Sequence, residues 1–532
     1  MITVKRLPIR TPVGVVALVV AAALGSPLLG IEGKGHGGAP PAFRHPGVLV
    51  TQEQLDFVKA KIAAGEAPWS AAFMAAKTFP SDAGGQPPGS LGYMAHTLSA
   101  SPKTLLDPAV PEGYVLCGSV SDPDVHCTDE KEDGVAAYTQ ALLWYLSPDG
   151  PDKDAYGQAA IGILNAWAPL QDHQGYNAGL QAGWMGTEFA RAAEIMQLSP
   201  NWQSPDISAF KQLMRRAFVG RLLLVRPGVS QPGDASYGQN GNWILSVADS
   251  MIQIGVLLDD HDLFKEGVEL WRERTPPYCY LSARDGAHPA VPCQVPPYQG
   301  TGSGYSPTAT RIADPYGYWG QAGGLSPAQD PAPDAGAGAT LPMLFRAPED
   351  GTCQETCRDL DHVQYGLAAM MNGAETARIQ GVDLYREQAP RIVACLENAA
   401  LYLNNAIATG QPKDGSGDSP PYPIPLTKAI TLPVTSDLTL CPASNGKSTL
   451  TLLGSGSLTT FVVEPTWEIG YNEYANRLGM SMPYTSELVH KFRANPPDKW
   501  VRATHHIALE MLTHADVGSV GLEDDAATCG GP

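Results

Sequence analysis

Charge is scarce in this chain, and positive charge scarcer still: only 17% of its 532 residues are charged, with 35 Lys and Arg against 54 Asp and Glu. The formal charge of −19 argues against nucleic acid or an anionic membrane as principal partner, because both reward a basic surface. A polyanionic substrate is still open, since a few Arg, His, Asn and Tyr groups in a cleft recognise carboxylates locally. Long apolar runs are also missing: past the N-terminal leader no segment approaches the roughly 20 apolar residues of a membrane-spanning helix. No repeat at a fixed period is present. No calcium-loop motif surrounds Asp314, Asp330 and Asp334, although these acids lie in one long loop. What is abundant excludes a wholly disordered chain: 43% of residues are hydrophobic, while 47 Pro and 56 Gly require many turns and long loops.

The N-terminus has the layout of a signal peptide over residues 1–25, with Lys5, Arg6 and Arg10, an apolar run from Val13 to Leu24, and small residues after it. Residues 26–45 read as a flexible linker, and the expected location is secreted or periplasmic, with no membrane attachment after cleavage. Export into an oxidising compartment favours disulfides over zinc thiolates for the nine cysteines. Cys117 with Cys127, Cys279 with Cys293 and Cys353 with Cys357 are the neighbours in sequence, and an odd count leaves one over. "CQETCRDLDHVQYG" offers zinc-type ligands in Cys353, Cys357 and His362. A fourth ligand is not apparent, so neither a metal nor any other cofactor is expected.

Helical patterns recur at 134–146, 154–167, 178–197, 206–224, 242–258, 261–273, 357–380, 383–407, 466–479, 485–493 and 501–513. A capping box, Thr51 with Gln54, opens another at "TQEQLDFVKAKIAA". Residues 78–130 and 275–355 are long Pro- and Gly-rich stretches, and 408–463 holds β-branched runs that suggest a small β insertion. Successive helix pairs predict a mainly α fold, an α/α barrel or toroid of helical hairpins with long loops. The domain is expected over residues 46–515 and a flexible tail over 516–532.

On a helical wheel at ~100° per residue, Leu360, Val363, Leu367, Met370, Met371 and Ala374 form a core stripe. Arg358, His362 and Tyr365 fall opposite, continued by Ala369 and Asn372. An ordinary solvated face is built from Lys, Glu and Gln, so a cation, an imidazole and a phenol together point to a cleft. In "YGQNGNWILSVADSMIQIGVLLDD", Asn242, Ser246, Asp249 and Gln253 share one face behind a Gly-rich approach through Gly238 and Gly241, which reads equally as a helix cap with a hydrated stripe. "PTWEIGYNEYANRLG" groups Trp467, Tyr471 and Tyr474, a pattern that serves either a core or a sugar-stacking wall. Of His505 and His506, helix geometry lets one face a cleft, and a buried, hydrogen-bonded histidine is the plain reading. Asn, Arg and His donors can neutralise a carboxylate so that the adjacent carbon can lose a proton. A Tyr or His then serves as base and a Tyr as acid toward the leaving oxygen, which amounts to β-elimination on a uronic acid.

Together with "HPGVLVTQEQLDFVKAKIAAGEAPW", the segments "NGNWILSVADSMIQIGVLLDD", "ETCRDLDHVQYGLAAMMNGAETARIQGVDLY" and "TWEIGYNEYANRLGM" resemble secreted bacterial proteins with the alginate-lyase-type toroid domain, over about residues 45 to 515. The likeness is closest to polysaccharide lyase family 38 and more distant to family 5. It implies a secreted lyase cleaving 1,4-linked uronic-acid polysaccharide, glucuronan or alginate, to 4,5-unsaturated uronate ends, acting on an acidic polysaccharide as a monomer. Carried over by motif, Asn242 stands where family 5 has an Asn-His pair; Trp243 replaces the adjacent His. His362 and Arg358, with Tyr365 or Tyr471 as the phenol, complete the expected catalytic set. Asn240, Trp243, Trp467, Tyr316, Tyr318 and Gln364 are the expected substrate contacts. Two rivals are an α/α-barrel glycoside hydrolase, for which Glu188, Glu464 and Glu468 are candidate carboxyl groups, and a non-catalytic carbohydrate-binding protein.

Overall fold

The computed structural model describes residues 41–81, 85–96, 98, 113–119, 122–225, 241–285, 291–292, 345–346, 350–354, 360–408, 467–494, 506, 509–518, 520 and 522. Helices dominate: α1 Gln52–Ala63, α2 Trp69–Ala76, α3 Cys127–Leu146, α4 Pro151–Trp167, α5 Ala178–Met196, α6 Ser204–Leu213, α7 Gly220–Val225, α8 Asn242–Leu257, α9 His261–Tyr278, α10 Ser282–Asp285, α11 Leu360–Ile379, α12 Leu384–Ala408, α13 Trp467–Tyr471, α14 Pro483–Ala494 and α15 Glu510–Thr513. π-Helical segments, Met214–Val219 between α6 and α7 and Asn472–Arg477 after α13, continue their neighbours. The stretch expected as loop before α3 contains strands β1 Tyr114–Ser119 and β2 Asp122–Val125. With β3 Asp172–Gln174 they form a sheet in which β1 pairs antiparallel with β2 and parallel with β3. A two-residue pairing joins β4 Val291–Pro292 to β5 Phe345–Arg346. The β insertion of 408–463 lies almost wholly outside the described residues.

Close approaches at small residues fix how the helices run. Along α3 and α5, Cys127 meets Gln181, Gly134 meets Met185 and Glu188, and Tyr138 meets Arg191, so the two are parallel. Gly183 packs on Ser246 and Gly186 on Ser250, which makes α8 parallel to α5. In the pair α8–α9, Gly255 lies against Phe264 and Gly267 against Ile252, the antiparallel sense. Trp271 Nε1 donates to Met370 O and Tyr278 Oη to Val363 O, so α9 is antiparallel to α11 and α11 therefore parallel to α8. The hairpin partner of α3 is α4, where Trp167 Nε1 reaches Asp133 at 2.7 Å and Trp144 lies on Gly157. Contacts then run α1–α3–α5–α8–α11–α13–α15 and back to α1, a closed inner ring, with α4, α6, α9, α12 and α14 outside it. The fold is an α/α toroid of helical hairpins.

Ring closure between α1 and α15 uses the predicted cap in an altered form. Thr51 Oγ1 accepts from Gln54 N at 3.1 Å, but the Gln54 side chain, instead of returning to the cap, donates to Thr513 O at 2.8 Å. Within the stretch expected to be a helix over 501–513, the described helical residues are Glu510–Thr513. The end of the expected linker is pinned: His45 Nδ1 meets Glu194 and its Nε2 meets Asp259, each at 3.0 Å, and Gly47 N also donates to Glu194.

Disulfides correct two of the three sequence-neighbour pairings. Cys117–Cys127 forms as expected and ties β1 to the start of α3. Cys353 pairs with Cys395 of α12, not with Cys357, because antiparallel pairing at Cys279 and Cys353 sets that segment against α9 and α12. Cys279 is a free, buried thiol, pushed well up by desolvation, and so is not joined to Cys293.

Two outcomes follow from this packing. A Cβ on Gly255 would stand 2.6 Å from Phe264 N and 2.8 Å from its Cα, where only backbone can yield. Gly255→Ala should therefore destabilise by about 1–3 kcal/mol in urea unfolding, through separation of α8 from α9. The His45 imidazole is raised from 6.5 to about 9, first by its hydrogen bond to Glu194 and against the effect of burial. Its contribution is full below the unfolded value and is lost as pH rises through about 9. His45→Gln should lower the urea midpoint at about pH 6 and match the unsubstituted protein at about pH 10.

Candidate active site

Because α3, α5, α8 and α11 are parallel, their N-terminal ends open at the same end of the toroid, and side chains from their first two turns meet there. Trp184 of α5 and Tyr365 of α11 come from opposite flanks of α8, yet their rings lie 6.0 Å apart at 65°, an edge contact across the axis. Lys131 of α3 sets its ammonium over the same indole, 6.0 Å from the ring centroid. Trp243, next to Asn242 at the start of α8, meets the Tyr176 ring edge-on at 6.0 Å. Gly241 caps α8 with φ 66°, a conformation that favours glycine, and its N–H donates to Gln354 Oε1 at 2.9 Å. The cap is thus Gly241 rather than the asparagine the sequence offered, since Asn242 is the first helical residue, and the partner at Gln354 was not legible.

Behind this mouth the axis is polar. Asn242, Ser246, Asp249 and Gln253, the stripe read as hydrated, are fully buried, and all sixteen residues of α8 are buried. Ser246 Oγ donates to Asn242 O at 2.7 Å and lies 2.9 Å from His506 Nε2, whose Nδ1 stands 3.6 Å from Asp249 Oδ2. His506 is thus the buried, hydrogen-bonded histidine expected of its segment; burial holds its imidazole below the ordinary value, opposed by Asp249. Arg191 bridges Gln253 and Glu188 at 3.0 Å each. Ser, His and Asp in this order suggest a nucleophile, but the Ser246 hydroxyl gives its proton to Asn242 O, so His506 is not set to activate it.

The predicted residues separate by position. Tyr365 is half-buried at the mouth, Asn242 and Trp243 open α8 beside it, and Gln364 is buried on the adjoining side of α11. His362 belongs to α11 one turn before Tyr365; its side chain, with Arg358, Asn240, Tyr316 and Tyr318, lies outside the described residues. Trp467 is corrected from substrate wall to core: its ring is 1% exposed among apolar side chains, as helical spacing of aromatics commonly dictates. Tyr471 packs 6.0 Å from the His490 ring with the Arg493 guanidinium 6.0 Å over its face, so its described neighbours belong to α14. The face of α11 opposite its core stripe is not solvated either. Ala369 and Asn372 on it are fully buried, because an inner helix has the axis where a surface helix has water.

Trp184 and Lys131 were missed by sequence reasoning. Neither sits in a motif; both matter through neighbours contributed by other helices. Among the described residues, Cys279, Cys353 and Cys395 place three sulfurs within 4.8 Å of one another, the ligand type a soft metal takes. Two of those sulfurs are joined to each other, which leaves one thiol and no ligand set.

Comparison with solved structures finds alginate lyase A1-III from Sphingomonas species A1, 15% identical over 71% of this chain and 88% of that one, with a TM-score of 0.40. The apo form of a histidine variant of that enzyme gives 13% identity over 82% and 88%, with a TM-score of 0.41. An alginate lyase from Bacteroides ovatus gives 15% identity over 69% and 85%, with a TM-score of 0.37. No curated protein matches. Among protein families, the alginate lyase family matches residues 124–280, the segment that holds Lys131, Trp184, Asn242 and Trp243. Residues 124–280 are thus similar to the alginate lyase family, which supports the reading of a polysaccharide lyase.

Proposed function

We propose that this protein is a secreted lyase that cleaves a 1,4-linked uronic-acid polysaccharide, alginate or glucuronan, by β-elimination and leaves 4,5-unsaturated uronate ends. The observation that carries the reading is the contact of Tyr365 with Trp184 across the mouth, beside Asn242. The reading takes this phenol, amide and indole to line the entrance for the sugar chain. Each helix N-terminus is equivalent to roughly half a positive charge. Four of them opening at one end favour an anionic chain in a protein whose net charge is −19.

In this reading Asn242, with Arg358, donates to the uronate carboxylate and withdraws charge as the C5 proton leaves. Tyr365 or His362 takes that proton, and the Tyr365 phenol returns one to the departing O4. No bond to the protein forms, and proton bookkeeping closes between base and leaving group. Secretion through the N-terminal leader and action as a monomer belong to the same proposal. Against a hydrolase, Glu188 is held by Arg191, and Glu468 is buried between Arg493 and Asn472, so neither is placed as an acid or base toward a sugar. Alginate shares its family name with the domain, which favours it over glucuronan as the first substrate to try.

Incubation of the purified protein with alginate, glucuronan and glycosaminoglycans, followed by ultraviolet absorbance and reducing-end release, tests the proposal. Both signals should rise together on one polyuronate; reducing ends without absorbance mean hydrolysis. Tyr365→Phe should lower the rate by about 10²–10⁴-fold, the ordinary worth of a general acid or base. Full activity in His362→Ala removes that residue from the chemistry.

A further inference from the structure

Nine cysteines leave one over, and among the described residues the free thiol, Cys279, lies beside a disulfide. Cys279 caps the C-terminal end of α9, Cys353 lies in the segment before α11, and its partner Cys395 stands on α12. The three sulfurs lie within 4.8 Å of one another. Backbone pairing sets Cys279 directly opposite Cys353. Tyr280 N donates to Thr352 O and Gln354 N to Tyr278 O, each at 2.9 Å, and the two cysteines face each other between those bonds. In an antiparallel pair this is the non-hydrogen-bonded position, where Cα atoms stand about 4.5 Å apart and side chains are closest. Disulfides span Cα separations of about 4.4–6.8 Å. That range holds the Cys279–Cys353 pair as well as the Cys353–Cys395 pair, whose Cα atoms lie 6.6 Å apart.

We propose that these cysteines form a thiol–disulfide exchange site in which Cys353 is the shared sulfur, joined to Cys395 in one isomer and to Cys279 in the other. The Cys279 thiol gives its proton to solvent and its sulfur attacks Cys353 Sγ. The Cys353–Cys395 bond breaks, and Cys395 leaves as a thiolate that takes up a proton. One S–S bond forms as one breaks, so neither oxidant nor reductant enters. Burial pushes the Cys279 thiol up, the Arg391 guanidinium opposes this, and Asp285 adds to it. Arg391 is fixed there, donating to Cys279 O at 2.5 Å and to Asp285 at 2.6 Å. Since the thiolate is the nucleophile, exchange proceeds when residues 350–354 open to water, and the closed structure stores the thiol unreacted.

The shared sulfur also stands next to the mouth. Gln354 follows Cys353 and its Oε1 accepts from Gly241 N, the cap of α8 beside Asn242 and Trp243. Gly351 packs on α12 so closely that a Cβ would stand 2.1 Å from Ala394 O. The bond to Cys395 holds this segment on α12, whereas a bond to Cys279 holds it to the end of α9 alone. The isomer present therefore sets how firmly Gln354 grips the start of α8.

Disulfide mapping of the full chain tests the exchange. Protein is held at about pH 9, where an ordinary thiol is largely ionised, in urea below the unfolding transition, then acid-quenched and alkylated. The alkyl label should shift from Cys279 to Cys395 with time, and a peptide joining Cys279 to Cys353 should appear. Label that stays on Cys279 alone overturns the proposal, as does a bond from Cys279 to any cysteine other than Cys353. Cys279→Ala locks one isomer, and Cys395→Ser should yield the other on oxidative refolding; two free thiols at Cys279 and Cys353 in the latter reject it. The label shift needs no variant and decides the matter where Cys395→Ser does not fold. Amide hydrogen exchange of the peptide holding Gly241 should be about 2–10-fold faster in Cys395→Ser than in Cys279→Ala, the worth of one hydrogen bond. Equal exchange in the two rejects the link to α8.

Discussion

Everything at the mouth depends on inner helices that lie close enough, with α3, α5, α8 and α11 in one direction, to bring their first two turns together. Gly134, Gly183 and Gly186 let α3, α5 and α8 approach at van der Waals distance, and Gly255 and Gly267 do the same between α8 and the returning α9. A side chain at any of these points meets an atom of the next helix. The inner helices α3, α5, α8 and α11 are each followed by a helix outside the ring, and all four run parallel. Parallel helices bring their unsatisfied N–H groups and their positive dipole ends to one place.

This arrangement reconciles an acidic protein with an anionic substrate class. The axis beneath the mouth is a column of buried polar groups, Ser246, His506, Asp249, Arg191, Gln253 and Glu188, arranged largely in contact with one another. Half-satisfied polar networks in a core are costly, so such a column fixes the inner helices relative to each other as well as occupying the axis. The acids of α3 follow the same logic. Glu130 with His173 and Asp133 with Trp167 tie the inner helix to the sheet and to α4.

Much of this architecture was legible in the chain. The helices at 134–146, 178–197, 242–258 and 261–273 appear within a few residues of their expected bounds or extend them, and the opposed stripes of α8 and α11 were visible as periodicity. The meaning of those stripes was not. Periodicity reports that two faces differ, but a polar face turned to water and one turned to a closed axis have the same pattern; only burial on all sides of Asn242 through Leu257 distinguishes them. Trp467 shows the converse, an aromatic whose sequence setting suited a sugar platform and whose place is the core. Cysteine spacing misled for a related reason, because Cys353 finds Cys395 through the packing of α12 on the segment before α11 rather than through nearness in the chain.

By itself, then, the sequence determined the helical class, the hairpin pairing and the residue types suited to uronate chemistry, since these rest on local propensity and on spacing within one element. The tertiary structure decided which side chains meet. Lys131, Trp184 and Tyr365 stand on three different helices. Their proximity is a property of ring closure, and no pattern inside a single helix encodes the distance between two others.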